Sequence, residues 1–257
     1  MIQFDNVVRE FGEFHALKSL CLTVQEGSIY TLLGHNGAGK TTALRIAIGL
    51  ILPTSGRVLL TDVDVEQDPI RAKEVAGFLP DTPSYFHHLT GESFLEFLAR
   101  ARGLHEDRWR PRRDDLLERL GLSDARHSRL ATYSFGMLRK TALAGALLHS
   151  PPHLLLDEPT AGLDPWSVRA LKDIMLEEAA RGASLLISSH DLDAVAEVSD
   201  RVGIIKGGIL LKEVASSELP HHREGGNTEL ERIFLEVTRD GGDGSKDVEI
   251  DGETHLR

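Results

Sequence analysis

The chain has 257 residues and a mass of 28.3 kDa. With 41% hydrophobic and 27% charged residues it has the make-up of an ordinary globule, which excludes wholesale disorder, collagen and a disulfide scaffold. The net charge of −11 (29 Lys+Arg against 40 Asp+Glu) leaves no global basic field to attract nucleic acid or anionic lipid. Cys21 is the one cysteine, so an internal disulfide is excluded and a thiolate metal site is implausible. No apolar run approaches the ~18–20 residues needed to span a bilayer. Met1-Ile2-Gln3-Phe4-Asp5 lacks the basic-then-apolar order of a signal peptide. The expectation is a soluble cytoplasmic chain, with any membrane-spanning helices supplied by another protein.

Apolar runs at 2–8, 20–24 and 29–33 read as strands. A glycine-rich turn follows, then a helix in which Leu44, Ala47, Ile48 and Ile51 share one face. Gly49 and Pro53 mark its end. Residues 57–60 read as a strand. From about 90 to 148 the signals are mostly helical, broken at Gly103 and Gly121. Strands at 153–156 and 184–188 then alternate with helices at 167–181 and 192–199. Two further strands, 202–206 and 209–214, flank the hairpin signal Gly207-Gly208. The alternation predicts an α/β fold with a mainly parallel sheet. The helical stretch, about 82–150, reads as an insertion between its halves. Beyond Pro220 the composition shifts, and 239–257, rich in Gly, Asp and Glu, reads as a disordered tail.

The strongest chemical signal is Gly34-His35-Asn36-Gly37-Ala38-Gly39-Lys40-Thr41. It matches G-x-x-x-x-G-K-[ST] between a strand and a helix, the setting that motif requires. Its glycines let backbone N–H groups close around phosphate oxygens, and the helix start adds partial positive charge. Lys40 is expected on the β- and γ-phosphates and Thr41 on Mg²⁺. Thr42 belongs to the same candidate set. The bland alternative, a turn without a ligand, explains the spacing poorly.

A second signal is the apolar strand His153-Leu154-Leu155-Leu156 ending in Asp157-Glu158-Pro159-Thr160. It sets two carboxylates at the carboxyl edge of the sheet, where open α/β sheets bind ligands. Asp157 suits Mg²⁺ through its water shell. Glu158 suits a general base acting on the attacking water.

With these two motifs the chain resembles the nucleotide-binding subunit of an ATP-binding cassette (ABC) transporter. The family's signature, usually L-S-G-G-Q, is matched by Tyr133-Ser134-Phe135-Gly136-Met137, with Phe135 and Met137 departing from the common residues. The variant resembles drug and antibiotic exporter ATPases. The resemblance implies that Ser134 and Gly136 face the γ-phosphate bound by the opposite subunit. Ser134 is equally a good helix cap. Phe11 stands where the family stacks an aromatic on adenine; a core role, and Phe14 in its place, are the alternatives. Ala161-Gly162-Leu163-Asp164 resembles the family's D-loop at the dimer interface, though Asp164 before Pro165 is also a local helix cap. His190 resembles the switch histidine that contacts the γ-phosphate. After Val75-Ala76-Gly77-Phe78-Leu79-Pro80 the family commonly has Gln; this chain has Asp81, which could join the Mg²⁺ shell but adds negative charge near the γ-phosphate.

The resemblance covers residues 1–219. It implies a RecA-like P-loop core with an N-terminal antiparallel β layer and an inserted helical subdomain. It further implies a Mg²⁺-dependent ATPase that drives a membrane exporter by nucleotide-dependent dimerisation. The implied partners are a separate membrane-spanning permease and a second ATP-binding subunit in a homodimer, with no nucleic acid. The implied location is the cytoplasmic face of the membrane. A soluble ABC protein of translation or chromosome maintenance is the rival, but the chain carries neither a second cassette nor a long coiled coil. A non-hydrolysing regulator need not keep Glu158 and His190. Tyr85 and Phe86, between turn residues, suit a contact with the permease or the interior of the helical subdomain. Arg108, Arg110, Arg112 and Arg113, followed by Asp114 and Asp115, read as a mixed-charge helix.

Overall fold

Residues 1–191, 197–218 and 229–239 are described in the computed structural model. Strands β1 (Ile2–Phe11) and β2 (Phe14–Val24) form a hairpin. Both run longer than their apolar segments. Asn6 (φ +50°) and Ser19 (φ +59°) take left-handed conformations where the register shifts, and such bulges interrupt the period-two alternation that marks a strand in sequence. The chain crosses as β3 (Ile29–Leu33) and α1 (Lys40–Ala47), then returns as β4 (Ser55–Leu60) and β5 (Val63–Asp64). The antiparallel sheet has the order β2-β1-β4-β5. Helix α1 ends at Ala47, with Gly49 in the left-handed region (φ +67°) just past its cap Ile48, so Ile51 lies beyond it.

After α2 (Pro69–Glu74), capped by Asp68, the chain enters the second sheet as β6 (Ala76–Leu79). The inserted subdomain follows as α3 (Gly91–Ala101), α4 (Glu106–Arg119) and α5 (Phe135–Leu147). Trp109, Leu116, Leu117, Leu130 and Tyr133 are buried within it. The chain returns as β7 (His153–Asp157), α6 (Pro165–Ala180), β8 (Ser184–Ser189), β9 (Arg201–Lys206) and β10 (Ile209–Ala215). The sheet order is β10-β9-β3-β8-β7-β6, all parallel except β10. Every residue of β3, β7 and β8 is buried, as central parallel strands covered on both faces require. The architecture is the expected one: an α/β core with a mainly parallel sheet, an N-terminal antiparallel β layer and an inserted helical subdomain. The expected helix at 192–199 falls mostly outside the described residues, as do 220–228 and 240–257 of the expected tail.

Three arginines of the α4 cluster are paired: Arg110 with Glu106 at 2.9 Å, Arg113 with Glu92 at 2.9 Å, and Arg112 with the buried Glu178. The mixed-charge reading of that segment stands.

Packed structure continues beyond residue 219, where the sequence reading placed the end of the domain. Helix α7 (Glu229–Arg239) buries Leu230 and Phe234 against Leu33, Val202 and Ile204. Lys206 Nζ donates to the Thr238 carbonyl at 2.7 Å. The Phe234 ring meets the His35 ring edge-on, with centroids 5.2 Å apart, so α7 supports the phosphate loop from behind. No described helix is long and apolar enough to cross a membrane.

His153, at the start of β7, is 2% exposed, with Nε2 3.1 Å from Thr61 Oγ1. Burial, aided by the N-terminal charge, pushes its pKa down to about 4. His149 is held near 4 by burial and by Arg102. Both are neutral in the fold at pH values where the unfolded chain binds protons. Their contribution to stability is therefore full above the ordinary histidine pKa of about 6.5 and is lost as pH falls towards 4. The melting temperature should fall between about pH 7 and pH 5, and His153→Gln should flatten that fall. An unchanged slope in the variant would remove His153 as a source.

Candidate nucleotide site

Loop 34–39 joins the buried strand β3 to α1. Gly39 caps the helix at φ +108°, and a Cβ there would stand 2.6 Å from the Ala16 carbonyl oxygen. Only glycine fits that turn. Lys40 is 5% exposed. Its Nζ donates to the Gly34 carbonyl at 2.6 Å and the His35 carbonyl at 3.3 Å, and lies 3.3 Å from Glu158 Oε1. The loop from His35 to Thr42 walls a cavity of about 310 Å³, closed by Phe14, Ala16, Asp81 and Glu158. That is the size of a small-ligand site.

Asp157 ends β7 and is 1% exposed. Its Oδ1 accepts from Thr41 Oγ1 at 3.1 Å and from Ser188 Oγ. Its Oδ2 is buried with no protein partner. A buried carboxylate oxygen without a donor calls for a cation or an ordered water. Together with the Thr41 hydroxyl it forms the hard-oxygen donor set that Mg²⁺ takes. The residues present fit the ion.

Glu158 follows at φ +49°, a conformation costly for a residue other than glycine and one that accumulates at functional sites. It is held there by its backbone N–H, which donates to the Ser188 carbonyl at 3.2 Å and to Ser188 Oγ at 3.0 Å. Its carboxylate is bracketed: Lys40 touches Oε1, and His190 Nδ1 lies 2.9 Å from Oε2. The imidazole is exposed and the carboxylate nearly buried. Lys40, Thr41, Asp157, Glu158 and His190 therefore come together.

Ser134, Gly136 and Asp164 do not line this cavity. Ser134 caps α5, accepting from the Met137 N–H at 3.2 Å. Asp164 caps α6, accepting from the Ser167 N–H at 3.0 Å. The Ser167 hydroxyl and amide hold the Asp164 carboxyl below its usual range. The departure at Phe135 has a physical role: its ring covers Gly162 so closely that a Cβ on Gly162 would stand 2.6 Å from it. The start of the signature helix is thereby packed on the D-loop segment.

Phe11 is half-exposed, with the Arg9 guanidinium 4.3 Å from its ring centroid. It faces Phe14 across the hairpin, and it is Phe14 that borders the cavity. The Asp81 carboxylate is exposed at the cavity, 3.9 Å from Arg139. Tyr85 and Phe86 part company. Tyr85 packs against the helical core with its hydroxyl buried, and burial pushes its pKa up. Phe86 stays exposed beside Phe97, ring centroids 5.3 Å apart. Sequence reasoning assigned nothing to Arg139, whose guanidinium donates to the main-chain carbonyls of both Asp157 and Glu158. Arg139 stands next to Lys140 on α5, and nothing in that pair of charges marks which of the two is buried.

Fold and cavity together define the nucleotide-binding core of a P-loop ATPase. The ABC transporter family model matches residues 17–161. The chain is 34% identical over 238 residues to an uncharacterized ABC transporter ATP-binding protein, YdbJ, of Bacillus subtilis, covering 92% of this chain and 74% of that one. It is 33% identical over 232 residues to the bacitracin transport ATP-binding protein BcrA of Enterococcus faecalis, covering 90% and 74%. Among solved structures, an ATP-binding subunit of an ABC transporter superposes with a TM-score of 0.84 at 28% identity, covering 93% of this chain and 99% of that one. The bacterial ABC transporter cassette MJ0796, solved as a dimer, gives 0.75 at 25% identity, covering 84% and 99%. This chain belongs to the ABC transporter family, as one of its ATP-binding ATPase subunits.

Proposed function

We propose that the chain binds ATP with Mg²⁺ in the cavity of the phosphate loop, hydrolyses it, and powers a membrane exporter by dimerising on ATP. The observation that carries this is the unpartnered Oδ2 of Asp157 beside the Lys40–Glu158 pair. Mg²⁺ there would neutralise phosphate charge. Lys40 binds the β- and γ-phosphates. Glu158 takes the proton of the attacking water, and His190, on its other oxygen, orients it. Phe11 or Phe14 offers a ring to the base.

Dimerisation accounts for Ser134, Gly136 and Asp164, which lie outside the cavity of their own chain. A second copy would bring them to the phosphates, with the amide donors of the α5 start facing the anion. The exporter assignment draws on the likeness to bacitracin transport proteins. The permease would seat the chain on the cytoplasmic face of the membrane, and the exposed Phe86 and Phe97 offer it an apolar contact. Light scattering of Glu158→Gln with ATP and Mg²⁺ should give twice 28.3 kDa. A strictly monomeric profile at saturating ATP, with and without the permease, would overturn the reading.

A further inference from the structure

Arg139 lies five residues into α5 and is 1% exposed. One guanidinium serves three main-chain carbonyls. Nη2 donates to the Asp157 carbonyl at 2.8 Å and to the Glu158 carbonyl, and Nη1 donates to the Asp81 carbonyl. Nη1 also lies 3.9 Å from the Asp81 carboxylate. These carbonyls belong to Asp157 at the end of β7, to Glu158 after it and to Asp81 two residues beyond β6, and the side chains of Asp81 and Glu158 line the cavity. The burial is costly. It depresses the Arg139 pKa, against the pull of Asp81, Tyr85, Asp157 and Glu158, and it leaves Nε without a partner. An apolar side chain of the same length would fill the space at less expense. A planar fork of donors, however, can hold several acceptors in fixed relation, which lysine cannot.

We propose that Arg139 is a positioning residue for hydrolysis: it ties the signature helix to the peptide units around Asp157 and Glu158, holding the carboxylates at their working geometry and offsetting the charge of Asp81. Two features support this over a purely structural role. The carbonyls it grips flank the left-handed Glu158, the residue whose backbone most needs restraint. The carboxylate it faces, Asp81, lines the cavity as an extra negative charge beside Glu158, and Arg139 meets it with a cation 3.9 Å away. Because Arg139 shares α5 with Ser134, movement of that helix would reach Glu158 through a single side chain.

The inference rests on Glu158 as the general base, and the test keeps the two apart. Arg139→Met should lower kcat about 10–100-fold, the usual cost of losing a supporting contact, with KM for ATP within about threefold. Arg139→Lys, which keeps the charge but not the fork, should recover part of the rate. Arg139→Met added to Glu158→Gln should cost nothing further, since the two act on one step. Melting curves with and without ATP identify the folded fraction, to which rates are normalised. A parent-like kcat in folded Arg139→Met would overturn the proposal. So would a rise in KM with kcat unchanged, or full additivity with Glu158→Gln. Turnover at the parent rate in Glu158→Gln alone would overturn the base assignment, and Arg139 would then stand or fall on its own kcat.

Discussion

Glu158→Gln should lose about 10²–10⁴-fold in turnover while still binding ATP, because general-base catalysis contributes on that scale. The amide is isosteric with the carboxylate: its single oxygen can face the Lys40 ammonium while its NH2 faces Nδ1 of His190, but no basic carboxylate remains for the proton of water. The charge change acts in the same direction on binding. Glu158 Oε1 lies 3.3 Å from Lys40 Nζ and competes with phosphate for it; a neutral Gln frees the ammonium and removes a like charge from beside the triphosphate. Affinity for ATP should hold or rise as turnover collapses. Nucleotide binding and phosphate release measured on one preparation separate the two. Parent-like turnover in the variant would strip Glu158 of the role.

What could be read in advance follows the distance over which each interaction acts. The phosphate loop and the Asp157-Glu158 pair are contiguous, and each sits at a strand end whose apolar run announces it. Their meeting through Thr41 and Asp157, 116 residues apart, follows once both lie at the carboxyl edge of one parallel sheet. The contact of His190 with Glu158 spans 32 residues and was reachable only by resemblance, since a histidine after a strand has no spacing rule of its own. Arg139 was invisible for a related reason: its partners are main-chain carbonyls, which no side-chain pattern marks. Tyr85 and Phe86 are adjacent and similar, yet one is buried against the helical core and the other is not; only packing distinguishes neighbours of like chemistry. Helix α7 is the instructive case. Leu230, Ile233, Phe234 and Val237 have the i, i+3, i+4, i+7 spacing of a buried helix face, but polar and glycine-rich sequence on both sides masked it as part of a tail.

Lys40→Met should weaken ATP binding about 30- to 4,000-fold, the equivalent of the 2–5 kcal/mol lost when one member of a buried, hydrogen-bonded charge pair is truncated. Methionine keeps the aliphatic stem, so packing around α1 is preserved and the change is chiefly one of charge. Before nucleotide arrives, Lys40 is already satisfied by the Gly34 and His35 carbonyls and by Glu158. These contacts hold the ammonium inside the loop, so little side-chain entropy is lost when phosphate replaces them. Without it, Glu158 faces the cavity with only His190 as partner, and the net negative lining repels the triphosphate it was built to hold. The loss should therefore be partly reversed by Glu158→Gln in the same chain, which removes that repulsion without restoring the ammonium. Calorimetric titration with ATP and Mg²⁺ across the two single variants and the double variant measures the coupling. If Lys40→Met binds ATP as tightly as the parent, the phosphates do not occupy this loop, and the roles assigned to Thr41, Asp157 and Glu158 around it fall together.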